Sequence, residues 1–74
     1  MTVVEFLQKK ISERGISISE LSRRTAIPRN YLYCSLGPKP SRALRADELI
    51  DIFRFFGLEL TDYVEARNDE NNSE

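Results

Sequence analysis

The chain has 74 residues, 31% of them charged, so it holds one domain near the lower size at which a hydrophobic core alone sustains a fold. One Cys and no His exclude an internal disulfide and any His/Cys metal site, and they leave Cys34 reduced in a cytosol-like compartment. The net charge of −1 excludes the uniformly basic surface of an indiscriminate nucleic-acid binder.

That net value hides an asymmetry. Residues 1–46 hold nine Lys/Arg against three Glu, a balance of +6, whereas residues 47–74 hold two Arg against nine acids, a balance of −7. A polyanion is the partner expected for the basic half, with ordinary surface solvation as the alternative reading of the same charges. No apolar run is long enough to span a bilayer and no signal peptide is visible, so the expected location is the cytoplasm, with no membrane partner.

Taken in order, Thr2 and Glu5 form a T-x-x-E capping box, and Val3, Val4, Leu7 and Ile11 follow at helical spacing. The spacing predicts a first helix over 3–14, stopped by a left-handed Gly15. Phe6 lies at the edge of its apolar stripe, where partial burial is expected, and Lys9, Lys10 and Arg14 are expected in solvent.

Ser17 and Glu20 repeat the cap as S-x-x-E and start a second helix that Leu21 and Thr25 continue. Ala26 and Ile27 form a turn, and Pro28 stands at the start of a third helix, where its missing N–H costs least. Inward positions of that helix are Leu32 and either Ser35 or Leu36, together with Ile27 before it. Arg29, Asn30, Tyr33 and Cys34 point outward.

Gly37 to Arg45 is the Pro/Gly-rich stretch and reads as a basic loop containing Lys39, Ser41, Arg42 and Arg45. From Ala46 to Phe56 a helix returns, with Leu49, Ile52, Phe53 and Phe56 on one stripe, Asp47 and Glu48 in its first turn, and Gly57 ending it. Phe55 falls about 110° from the centre of that stripe, so this chain's own core does not account for it. Thr61 is the expected cap of a short last helix over 62–66 that carries Tyr63 and Val64. Residues 68–74 are acidic and lack apolar side chains, which predicts a disordered tail after a domain spanning 1–67. That tail is read as solubilising, or as a competitor with the polyanion for the basic face.

The stretch GISISELSRRTAIPRNYLYCSLG resembles the helix-turn-helix of the phage repressor and Cro family, the lambda repressor-like or XRE type. Gly15, Ser17, Glu20, Leu21, Ile27 and Leu32 fall on the family's pattern, and GLELTDY resembles its sequel to a fourth helix. Ser22 and Ala26 replace the family's Ala and Gly with other small residues. Ile11 and Leu36 stand where the family has a buried Arg–Glu pair, an exchange that is often neutral when both partners change together. Ile18 replaces a phosphate-holding Gln, and Pro28 replaces a polar cap.

The resemblance implies an all-α, compact five-helix domain with a helix-turn-helix at its second and third helices, and a sequence-specific regulator of transcription, repressor or activator, on double-stranded DNA. The recognition helix, residues 28–36, would enter the major groove. Arg29 can bond bidentately to guanine and Asn30 to adenine, with Tyr33 against a thymine methyl or a phosphate and Cys34 beside them. Ser17, Arg23, Arg24, Lys39, Ser41, Arg42 and Arg45 would meet phosphates, about four to six in all, for a log-log salt slope of roughly −4 to −5. The family binds as symmetric dimers, and Phe55, Leu58 and Tyr63 are the expected dimer or partner contacts.

A protein-interaction module on the same fold, an antitoxin or adaptor gripping a partner through the recognition helix or the Phe55 surface, is the competing reading, favoured by Tyr31, Tyr33 and Cys34. No catalytic constellation, cofactor or small-molecule ligand is implied by these residues.

Overall fold

The caps that the sequence carries open and close the first helices. In the computed structural model, which describes residues 1–71 and the side chains of 1–69, α1 spans Val3–Arg14, α2 Ile18–Thr25, α3 Arg29–Leu36, α4 Ala46–Phe56 and α5 Leu60–Asn71. The described residues contain no strand, and the five helices fold compactly, with a radius of gyration of 12.2 Å.

At α1 the box is complete, since Thr2 Oγ1 accepts from Glu5 N–H and Glu5 accepts from Thr2 N–H at 2.8 Å. These bonds to Thr2 hold the Glu5 carboxyl below the usual carboxylate range. At α2 only half of the expected box forms: Ser17 Oγ accepts from Glu20 N–H at 3.1 Å, while the Glu20 carboxylate turns to Arg23 and Arg24. Gly15 and Gly57 stop α1 and α4 in the left-handed conformation.

Ala26 adopts the same conformation at φ 62°, the only non-glycine residue with positive φ among those described. The strain is offset by local bonds, because Ser22 Oγ donates to the Ile27 carbonyl at 2.5 Å and Ala26 N–H donates to that of Ser22. Pro28 precedes α3 as its cap residue, with φ −53° and ψ 137°, so the helix itself begins at Arg29.

The core joins Phe6 and Leu7 of α1, Leu21 of α2, Ile27 in the turn, Leu32 and Leu36 of α3, and Ile52, Phe53 and Phe56 of α4. Ile11 packs against this cluster from its edge. Accordingly α1 lies against α3 and α5, and α2 against α3 and α4.

Three expectations are corrected here. Phe6 is a core residue at 3% exposure, because α5 brings Tyr63 to 5.4 Å from its ring while Phe53 lies 6.1 Å away on the other element. Lys10, expected in solvent, is half-buried over the Phe6 ring, whereas Arg14 is exposed as expected and also donates to the Phe56 carbonyl at 2.9 Å. The last helix starts before Thr61 and outruns residue 66. Asp62 reaches back to accept from Glu59 N–H at 2.7 Å, which sets the start at Leu60. With no Gly or Pro after Gly57 to stop it, α5 continues through Asn68 into the stretch assigned to a disordered tail. Residues 72–74 of that tail lie outside the described residues.

Candidate nucleic-acid interface

The turn at Ala26 to Pro28 decides which face of α3 is covered. Leu32, Ser35 and Leu36 are buried against α1 and α2, while Arg29, Asn30, Tyr33 and Cys34 are exposed. Both inward candidates, Ser35 and Leu36, are therefore core.

Ser17, Ile18 and Ser19 at the start of α2 face Arg29, Asn30, Tyr33 and Cys34 across one hollow. Arg29 donates to Ser19 Oγ at 3.4 Å and bridges its two helices. A second hollow shares Tyr33 and Cys34 and is bordered by Pro38, Lys39 and Ser41. Together these hollows make one continuous surface containing Ser17, all four outward residues of α3, Lys39 and Ser41. A helix start at α2, where first-turn N–H groups lack helical partners, and a hydroxyl near Arg29 and near Lys39 suit it to an anionic, hydrogen-bonding partner.

The loop beyond α3 is held against it. Ser41 and Arg42 N–H both donate to the Cys34 carbonyl, at 2.7 and 3.2 Å. Arg42 does not project as the phosphate grip expected of it. Its fork meets both oxygens of Glu48 at 3.0 Å, one of its N–H groups donates to the buried Ser35 Oγ at 3.2 Å, and its guanidinium stacks 4.5 Å from the Tyr31 ring centre.

Glu48, in the first turn of α4, is 8% exposed and also accepts from Arg45 N–H at 2.9 Å. The Arg42 bonds, and then the Arg45 N–H, hold its carboxyl below the usual range against the opposing effect of burial. Glu48 in turn raises the pKa of Arg42.

The remaining cations are spread over other surfaces. Arg23 and Arg24 lie 3.7 and 3.9 Å from Glu20, mostly exposed, where such pairs contribute little. Arg24 shares a hollow with Thr25, Asp51, Arg54 and Phe55, away from Arg29. Arg45 is exposed, 3.5 Å from Asp47.

Phe55 also parts from its expected companions. Its ring is half-buried, edge-on to Phe56 at 5.1 Å, because the 110° offset turns it toward α2's last turn. Leu58 and Tyr63 line one largely apolar hollow, bordered also by Val3, Leu49, Ile50, Arg54 and Leu60. Ile50 and Leu60 are 58% and 68% exposed there. The Tyr63 hydroxyl donates to the Met1 carbonyl at 3.3 Å.

Sequence reasoning missed the Arg42–Glu48–Ser35 cluster and the contribution of Ile50 and Leu60. For the first the legible signal was Glu48 at the third position of α4, a position from which a carboxylate reaches back to the cap N–H. Among the described residues, no helix is long and apolar enough to cross a membrane and no cluster of His, Cys, Asp or Glu is placed to hold a metal.

The fold and this surface define the class: an all-helical domain with one polar, partly cationic face built on α2, α3 and the loop after it. Compared with known proteins, the chain matches no protein-family model, no curated protein and no solved structure.

Proposed function

We propose that this protein is a sequence-specific double-stranded DNA-binding regulator of the phage repressor and Cro type, acting in the cytoplasm as a homodimer. The observation that carries the reading is on α3, where Arg29, Asn30, Tyr33 and Cys34 are exposed while Leu32, Ser35 and Leu36 are buried. A helix anchored on one side that leaves Arg and Asn exposed can enter a major groove with its register determined by the core.

Arg29 then reads guanine and Asn30 adenine, each pairing worth roughly 1–3 kcal/mol of discrimination. Tyr33 and Cys34 lie further along the groove. Ser17 with the first N–H groups of α2 holds one phosphate, and Lys39 with Ser41 holds another on the far side of α3. Because Arg42 is engaged with Glu48 and Arg45 neighbours Asp47, the contact count falls to about two phosphates per subunit and the salt slope to roughly −2 per subunit.

One domain of this size reads too few base pairs to select a site, so a symmetric pair on two half-sites is part of the proposal. The apolar hollow with Ile50, Leu58, Leu60 and Tyr63 is the surface offered for that contact, in place of Phe55.

The same hollow favours a second reading, an interaction module that grips a protein partner through apolar side chains. Selection from a random-sequence duplex pool at two salt concentrations separates the two. An enriched palindrome with steep salt loss supports the DNA regulator. Retention without enrichment and without salt dependence would transfer the function to the apolar surface.

A further inference from the structure

Arg42 is the most fully engaged cation among the described residues. Its five N–H donors serve Glu48 twice and Ser35 once, and its flat face covers Tyr31. Glu48 adds Arg45 N–H, so the pair ties together α3, the loop after it and the first turn of α4. The loop's other anchor is the Cys34 carbonyl, which accepts from Ser41 and Arg42. Between these two anchors lie Lys39 and Ser41, on the hollow they share with Tyr33 and Cys34.

We propose that Arg42 and Glu48 are positioning residues of the interface: they clamp the loop so that Lys39 and Ser41 stand beside α3 as a preformed phosphate contact. Neither touches DNA. The inference rests on the DNA reading above and assigns to this pair the role that charge alone would give Arg42.

Charge and positioning predict opposite signs for one substitution. Glu48→Gln removes a negative charge and releases Arg42, so a directly gripping Arg42 would then bind duplex as tightly or more tightly, with a steeper salt slope. A clamp predicts the reverse. Glu48→Gln should bind a duplex taken from the selection about tenfold more weakly at unchanged slope, and amide hydrogen exchange at Ser41 and Arg42 should accelerate by a similar factor.

Arg42→Lys separates the readings again, because it keeps the charge and loses the planar fork. The clamp predicts the same loss, whereas direct gripping predicts near-normal binding. Lys39→Ala, at an exposed position, gives a variant with an intact clamp and supplies the partner for a double-substitution cycle. If Glu48 acts through Lys39, Glu48→Gln should cost clearly less in the Lys39→Ala background than in the wild type.

Wild-type binding combined with undiminished affinity in Glu48→Gln overturns the clamp and leaves the DNA reading standing. Full additivity with Lys39→Ala overturns it as well. A wild-type chain that retains no duplex overturns the DNA reading, and this inference with it.

Discussion

Gln8 of α1 donates its side-chain N–H to the carbonyl of Gly37, 3.0 Å away, and more weakly to that of Leu36 at 3.4 Å. A side chain from the first helix thus satisfies the end of the third, where backbone carbonyls lack helical partners. Gly37 is buried there, and a Cβ on it would run into the carbonyl oxygen of Tyr33, the acceptor of its own N–H. Backbone on both sides leaves nothing flexible to yield. Gly37→Ala should therefore destabilise the fold by about 2 kcal/mol, and Gln8→Ala by about 1 kcal/mol, read as shifts in the urea midpoint. An unchanged midpoint in Gly37→Ala would mean that the end of α3 relaxes freely.

Ala26 supplies the opposite case. At φ 62° its Cβ crowds the backbone, a strain of roughly 1–2 kcal/mol that glycine lacks. Glycine also gains freedom in the unfolded chain, which returns part of that difference. Ala26→Gly should raise stability by about 0.5–1 kcal/mol, visible as a higher Tm, while Ala26→Val should lower it.

Acid should act through Glu48. Its pKa is lowered in the folded state by Arg42 and the Arg45 N–H, so the unfolded chain binds a proton more readily. The stabilisation it contributes is complete above the unfolded carboxylate value of about 4.3 and disappears as pH falls through the lowered folded value. Glu5 follows the same sign at the start of α1. Glu48→Gln should be less stable than wild type at pH 7 and should lose less on acidification. Parallel unfolding curves for the two proteins across the acid range would remove Glu48 from this role.

Base reading is tested at the front of α3. Arg29→Ala should relax preference at one base pair, by roughly 1–3 kcal/mol, while keeping most of the affinity for random duplex. Lys39→Ala should weaken all duplexes alike and reduce the salt slope by about one. An unaltered enriched motif with Arg29→Ala would move α3 out of the groove.

The apolar hollow and Phe55 make different predictions about self-association. Ile50→Asp places a charge on an exposed site and should abolish a dimer in sedimentation while keeping the fold. Phe55→Ala should leave the association state unchanged and cost about 1–2 kcal/mol of stability, because its ring packs on Phe56. A dimer lost with Phe55→Ala alone would reverse the assignment.

Features decided within one or two turns were legible in the residues themselves. The box at Thr2 and Glu5, the glycines after α1 and α4, and the stripe of Ile52, Phe53 and Phe56 bounded their helices because caps and periodicity act over three to seven positions. The outward set of α3 followed in part, since burying Leu32 leaves Asn30, Tyr33 and Cys34 about 100–160° round the helix, whereas Arg29, on the Leu32 side, is exposed as the first residue of the helix.

The partners across those helices came only from the tertiary structure. Periodicity gives a side chain a direction and says nothing of what lies opposite, so Phe6 at a stripe's edge became core once α5 covered it. Arg42 read as a loop cation until the loop turned back on α3 and brought Glu48, six residues on, within 3.0 Å of its fork. The residue types determined which helices form and which face of α3 is polar. The packing of those helices decided which cations remain on that face, because an irregular loop takes its path from the surface it closes on.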